Sequence, residues 1–117
     1  MTTSIKTQGQ NLVMYQGATF EQTFVAKDKN SLNVSLSAGT CISQMRKNYS
    51  TSNSSHILTF STTINDSAVT ISASASDTTN MEPGLYFYDV EFRQSDNVTV
   101  EKIVNGMVNV IGESTKI

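Results

Sequence analysis

Asp89 and Glu91 stand two residues apart in "MEPGLYFYDVEF" at 81–92, the first pair in this chain whose types and spacing suit chemistry. On a β-strand two such carboxylates project from one face, as a general acid and base would have to. Dividing those roles requires one strongly raised pKa, and no environment for that is legible around them, so a solvated strand face is the expected role. His56 is the only histidine and Cys41 the only cysteine. A zinc site would need both together with carboxylates, and no ligand spacing supports one. A Ser-His-Asp or Cys-His mechanism would have to use His56 as its base, yet there is no G-x-S-x-G elbow and His56 borders a polar loop. No phosphate-cradling glycine loop or calcium loop occurs. The residues therefore predict no catalytic group, cofactor or metal, and the chain is not expected to be an enzyme.

Five N-x-[ST] sequons begin at Asn33, Asn48, Asn53, Asn65 and Asn97. With 31 Ser and Thr and ten Asn among 117 residues, about two or three sequons arise by chance, so they are read as compositional. The same excess of small polar side chains disfavours helix interiors and suits strands and turns. Eight basic and ten acidic residues, net −2, are spread along the chain. There is no basic stripe to neutralise phosphates or an anionic membrane, so neither nucleic acid nor membrane is an expected partner. No apolar run approaches the roughly 18 residues needed to span a bilayer. "MTTSIKTQGQ" lacks the apolar core of a signal peptide, so synthesis in a cytosol without processing is expected. A single cysteine permits no internal disulfide and suits a small buried hydrophobe.

Alternation with period two recurs along the chain, and no helical stripe lasts beyond a turn or two. After a turn at Gly17, Phe20, Phe24 and Ala26 share a face with Gln22, opposite Thr19, Glu21 and Thr23. "LVMY" at 12–15 reads as a strand, while "SLNVSLS" at 31–37 suits a strand or an ordered loop. Cys41, Ser43 and Met45 alternate with Ile42, Gln44 and Arg46, ahead of the polar insert "NYSTSNSS". "HILTFSTT" and "SAVTISA" predict a hairpin through "NDS", with Leu58, Phe60, Val69 and Ile71 inward. A crossing segment follows, with one helical turn capped by Asp77. Pro83 and Gly84 then launch a strand with Tyr86, Tyr88, Val90 and Phe92 buried and Leu85, Phe87, Asp89 and Glu91 outward. A turn at "SDN" leads to a last strand expected to bend or split near Gly106. The aromatics at alternate spacing are read as core rather than as a stacking platform.

Asp77, Gly84 and Tyr86 resemble the lead-in to the sixth strand of immunoglobulin-like domains, where the tyrosine forms a corner. Tyr88 stands where antibody-type domains carry their second bridging cysteine, and the chain has no tryptophan. Taken in order, "YQGATFEQTF", "GTCISQMRK", "MEPGLYFYDVEF" and "VEKIVNGMVNVIGE" resemble small immunoglobulin-like β-sandwich proteins of tailed bacteriophage particles. That family includes the N-terminal domain of siphophage upper-baseplate proteins and small virion proteins of cyanobacterial myophages. Gly17, Met45–Arg46, Pro83–Glu91 and Gly106–Val110 occupy its pattern positions.

The resemblance implies an all-β, immunoglobulin-like antiparallel sandwich of about 7–8 strands. It divides the chain into a flexible N-terminal arm over 1–11, one sandwich over 12–113 and a C-terminal tail over 114–117. Gly17, Phe20, Phe24, Met45, Pro83, Gly84, Tyr86, Tyr88, Phe92 and Gly106 are the residues expected to define the fold. The implied role is structural: a tail, baseplate, neck or capsid-decoration protein, made in the bacterial host cytoplasm and resident in the virion. It would bind other virion proteins, as a homo-oligomer or in a symmetric ring, through sheet edges, the terminal arms and the insert carrying Asn48, Tyr49, Asn53 and Ser55. A carbohydrate-binding or host-adhesion module using the same loop is the alternative.

Overall fold

The computed structural model describes residues 5–48 and 57–114. Among the described residues nine strands form two packed sheets: β1 (Gln8–Gly9), β2 (Leu12–Tyr15), β3 (Phe20–Val25), β4 (Thr40–Arg46), β5 (Ile57–Thr59), β6 (Ser61–Asn65), β7 (Ala68–Ala73), β8 (Gly84–Arg93) and β9 (Val100–Ile111), with one short helix, α1 (Ala75–Thr79). One sheet runs β1-β9-β8-β4-β5, with β2 also on β9, and the other runs β3-β7-β6. This is the strand order of an immunoglobulin-like sandwich. The departure from the all-antiparallel expectation is at the start of the chain, where β1 and β2 pair parallel with β9.

Alternation drives the packing. Phe20, Phe24, Met45, Val69, Ile71, Tyr86, Tyr88, Val90 and Phe92 meet between the sheets, all buried. The Phe20 and Phe60 rings lie 5.6 Å apart, and Phe24 stacks on Tyr88 at 6.2 Å. That second pair bridges β3 and β8 where an antibody-type domain places its disulfide. Tyr86 Oη donates to the Glu82 carbonyl at 2.6 Å, completing the tyrosine corner.

Several expectations need correction. The first strand is not a free arm from Ile5 onward. Ile5 is buried, the Lys6 amide donates to the Lys27 carbonyl, and β1 pairs with β9. The helical turn is capped by Ser74, not Asp77: Ser74 has extended dihedrals, and its hydroxyl accepts from the Asp77 amide three residues on. "HILTFSTT" is not one hairpin strand, because β5 pairs with β4 and β6 with β7, so the chain changes sheets at Phe60. The β6–β7 half of the expected hairpin does form, turning at Asp66 and Ser67. The 31–37 stretch, expected as a strand or an ordered loop, is the ordered loop, with Val34 and Leu36 buried and Leu32 exposed.

Gly106 does not split β9, which runs unbroken through it. A Cβ there would lie 2.2 Å from the Gln10 carbonyl oxygen, so the glycine permits close backbone approach. The irregularity lies earlier. Val90 pairs with Val104 but Glu91 with Lys102, leaving Ile103 as the extra residue of a β-bulge. Gly84, at φ 138°, holds a backbone conformation open to glycine and starts β8 directly after Pro83.

Candidate functional site

With the even positions of β8 committed to the core, its odd positions face outward at the centre of the six-stranded sheet. Leu85, Phe87, Asp89, Glu91 and Arg93 therefore run along one strand on one face. Register sets their neighbours. Leu85 lies beside Asn109, Phe87 beside Met107, Asp89 beside Asn105 and Glu91 beside Lys102 on β9. On the other side Phe87, Asp89 and Glu91 lie beside Arg46, Gln44 and Ile42 of β4. Beyond β9, Val13 and Tyr15 of β2 lie beside Asn109 and Ile111.

The face is divided along the strands. At one end Tyr15 (59 % exposed), Val13 (50 %), Leu85 (52 %), Phe87 (38 %) and Ile111 (38 %) stand exposed on adjoining strands around half-buried Met107, with exposed Asn109 between Val13 and Leu85. Monomer surfaces seldom gather large side chains so, and such patches mark contact sites. At the other end most side chains are charged or amide-bearing, with exposed Ile42 and Val100 beside them. Lys102 Nζ reaches Asp89 Oδ2 at 2.7 Å and Glu91 Oε2 at 3.0 Å, and Arg93 approaches Glu91 at 3.9 Å. These residues, with Ile42, Gln44, Arg46, Phe87 and Asn105, line a shallow concavity of about 450 Å³.

The bulge makes this arrangement. By turning both Ile103 and Val104 into the core, it reverses the parity of β9 and brings Lys102 onto the same face as Asn105 and Met107. Hydrogen bonding to Asp89, with a further bond to Glu91, raises the Lys102 pKa. Asp89 and Glu91 thus share one cation on an open face, the arrangement of a neutralised surface network. The Ser43 hydroxyl, buried in β4, donates to the Asp89 carbonyl at 2.6 Å and fixes the backbone beside the bulge.

Elsewhere among the described residues the shifts come from burial and from turn hydrogen bonds. Burial pushes the Cys41 thiol up to about 11 and the Tyr88 hydroxyl up to about 12. Asp96 is fully exposed, and its pKa is lowered by the Thr99 and Val98 amides that close the β8–β9 turn. Among the described residues no three of His, Cys, Asp and Glu come together.

Of the residues expected to form an interaction loop, Asn48 is exposed just after β4, while Tyr49, Asn53 and Ser55 lie outside the described residues, as does His56. The residues expected to define the fold each have a place. Gly17 donates its amide to Thr78 Oγ1, exposed Pro83 precedes β8, and the aromatics and Met45 fill the core. The sequence reading put Leu85 and Phe87 outward but missed the patch they share with Val13, Tyr15, Met107 and Ile111. The exposed half of "LVMY" and the outward Ile111 were its available signals, but only the parallel pairing of β2 with β9 joins them.

No family model matches the chain, and no curated protein matches it. Among solved structures, InlP of Listeria monocytogenes is similar over 91 % of this chain and 27 % of its own, at 15 % identity and a TM-score of 0.49. A family 123 glycoside hydrolase from Clostridium perfringens is similar over 91 % of this chain and 23 % of its own, at 13 % identity and a TM-score of 0.44. The chain spans about a quarter of the length of either. Its sandwich assignment rests on strand order and register.

Proposed function

We propose that this chain is a structural component of a tailed phage particle, made in the bacterial host cytoplasm and resident in the virion. It acts by protein–protein assembly. The observation that carries the assembly role is the apolar half of the outer face, where Tyr15, Val13, Leu85, Phe87 and Ile111 stand exposed on adjoining strands. Placement in a phage particle rests on the ordered resemblance of the four segments quoted above, three of which supply β4, β8 and β9 of this sheet. A sheet held together by its own ladder and core can present such a face without loss of stability. Neighbouring virion proteins are the partners, in the tail, neck, baseplate or capsid decoration. Quantitative mass spectrometry of purified particles tests the reading. A copy number that is a small multiple of three or six supports a tail, neck or baseplate position, a count matching the capsid protein supports decoration, and absence overturns it.

A second reading is favoured by the concavity of about 450 Å³ at the charged end of the face, where Arg46, Asp89, Asn105 and Gln44 flank Phe87. Acceptors, donors and an aromatic ring together suit a neutral sugar. Saturable binding of a host glycan, lost on Asn105→Ala, would favour that carbohydrate-binding role.

A further inference from the structure

We infer that the outer face of the six-stranded sheet docks a second copy of this chain, with a two-fold axis running along the β8–β9 ladder. The inference deepens the assembly reading and rests on it. A face-to-face dimer of this kind has its axis in the interface plane. When that axis lies along the strands, position along the strand is preserved and the two central strands exchange. Each outward residue then meets its own cross-strand neighbour in the other copy, and the register defines those meetings.

Lys102 comes to face the partner's Glu91, so a cation already held between two carboxylates on its own face gains a third. Asn105 faces the partner's Asp89 as a hydrogen-bond donor. Met107 faces the partner's Phe87, a sulfur–aromatic contact. The apolar end meets an apolar end and the charged end meets a charged end of opposite order, a self-complementary surface.

The charge pattern favours a second copy. Lys102 and Glu91 stand opposite each other across the ladder, so the two-fold brings opposite charges together, while three cations (Arg46, Arg93 and Lys102) against two carboxylates (Asp89 and Glu91) leave little net field for selecting a highly charged partner. The strands beside β8 and β9 are shorter, seven residues in β4 and four in β2, so two copies would bury about 900 Å² at ordinary strand spacings, the size of a weak, reversible interface. Aligned packing of two sheets at ~10 Å separation is the ordinary geometry for such faces.

Sedimentation equilibrium on the full chain tests this. The expected result is a reversible monomer–dimer equilibrium, with association weakened at least tenfold by Leu85→Glu and by Lys102→Glu. The double exchange Lys102→Glu with Glu91→Lys restores the facing pair and should recover most of the lost affinity, which general surface damage would not. Thermal unfolding confirms that the variants remain folded. A wild-type chain that stays monomeric to about 1 mM overturns the inference, as does a dimer indifferent to all three changes. If the chain is monomeric but Leu85→Glu alone prevents incorporation into particles, the self-docking inference fails and the assembly reading stands. If incorporation is also unaffected, both fail.

Discussion

The Tyr88 hydroxyl donates to the Gln10 carbonyl at 2.6 Å, joining the middle of β8 to the junction between β1 and β2 across 78 positions of sequence. The same ring stacks on Phe24, so one residue ties β3, β8 and the first strand together. Tyr88→Phe keeps the stack and removes the bond, and should cost about 1 kcal/mol. Phe24→Ala removes the stack and leaves a cavity, and should cost about 3–5 kcal/mol. Urea unfolding of both variants checks the ratio.

Gly106→Ala places a methyl group against the Gln10 carbonyl, whose oxygen is 2.2 Å from the added carbon position. Backbone cannot yield as a side-chain tip can, so the first strand must shift away from β9. The expected loss is about 1–3 kcal/mol, with hydrogen-exchange protection falling selectively at the Gln10 amide, which donates to the Asn105 carbonyl. Uniform loss of protection would instead indicate global destabilisation alone.

Alkaline pH should destabilise the fold. Burial raises Cys41 from 9.0 to about 11 and Tyr88 from 10.0 to about 12. The folded chain therefore keeps protons that the unfolded chain releases, and stability present below about pH 9 is lost as pH rises through 11 and 12. Lys102, raised chiefly by its bond to Asp89, adds in the same direction. Cys41→Ala should flatten the first part of the decline, read from urea midpoints at pH 8, 9, 10 and 11. The same burial predicts slow reaction of Cys41 with a thiol reagent at pH 8 in the folded chain and fast reaction in urea.

Much of the sandwich was legible because alternation writes the buried face directly into the sequence. Tyr86, Tyr88, Val90 and Phe92 declare one side of β8, and Phe20, Phe24 and Ala26 one side of β3. What stayed hidden depends on partners rather than patterns. "HILTFSTT" keeps a strand-like pattern while changing sheets, and the change shows only in the pairing of β5 with β4 and of β6 with β7. "EKIVNG" carries adjacent apolar residues that suggest no particular parity until Ile103 is found unpaired in the bulge. Asp77 is the expected cap, and that Ser74 takes the place shows only in its extended dihedrals. The candidate face was half legible: Leu85 and Phe87 point outward by alternation, but joining them to Tyr15 and Ile111 needs the parallel pairing of β2 with β9.

The central claim is that the apolar end of the outer face makes this chain's contacts in a particle. Its most direct measurement is the copy number of Leu85→Glu in purified particles, set against wild type and against Thr70→Glu on the outer face of the β3-β7-β6 sheet, with the folding of each checked by thermal unfolding. The account predicts that Leu85→Glu falls at least tenfold while Thr70→Glu is retained. Equal retention of both variants would contradict it.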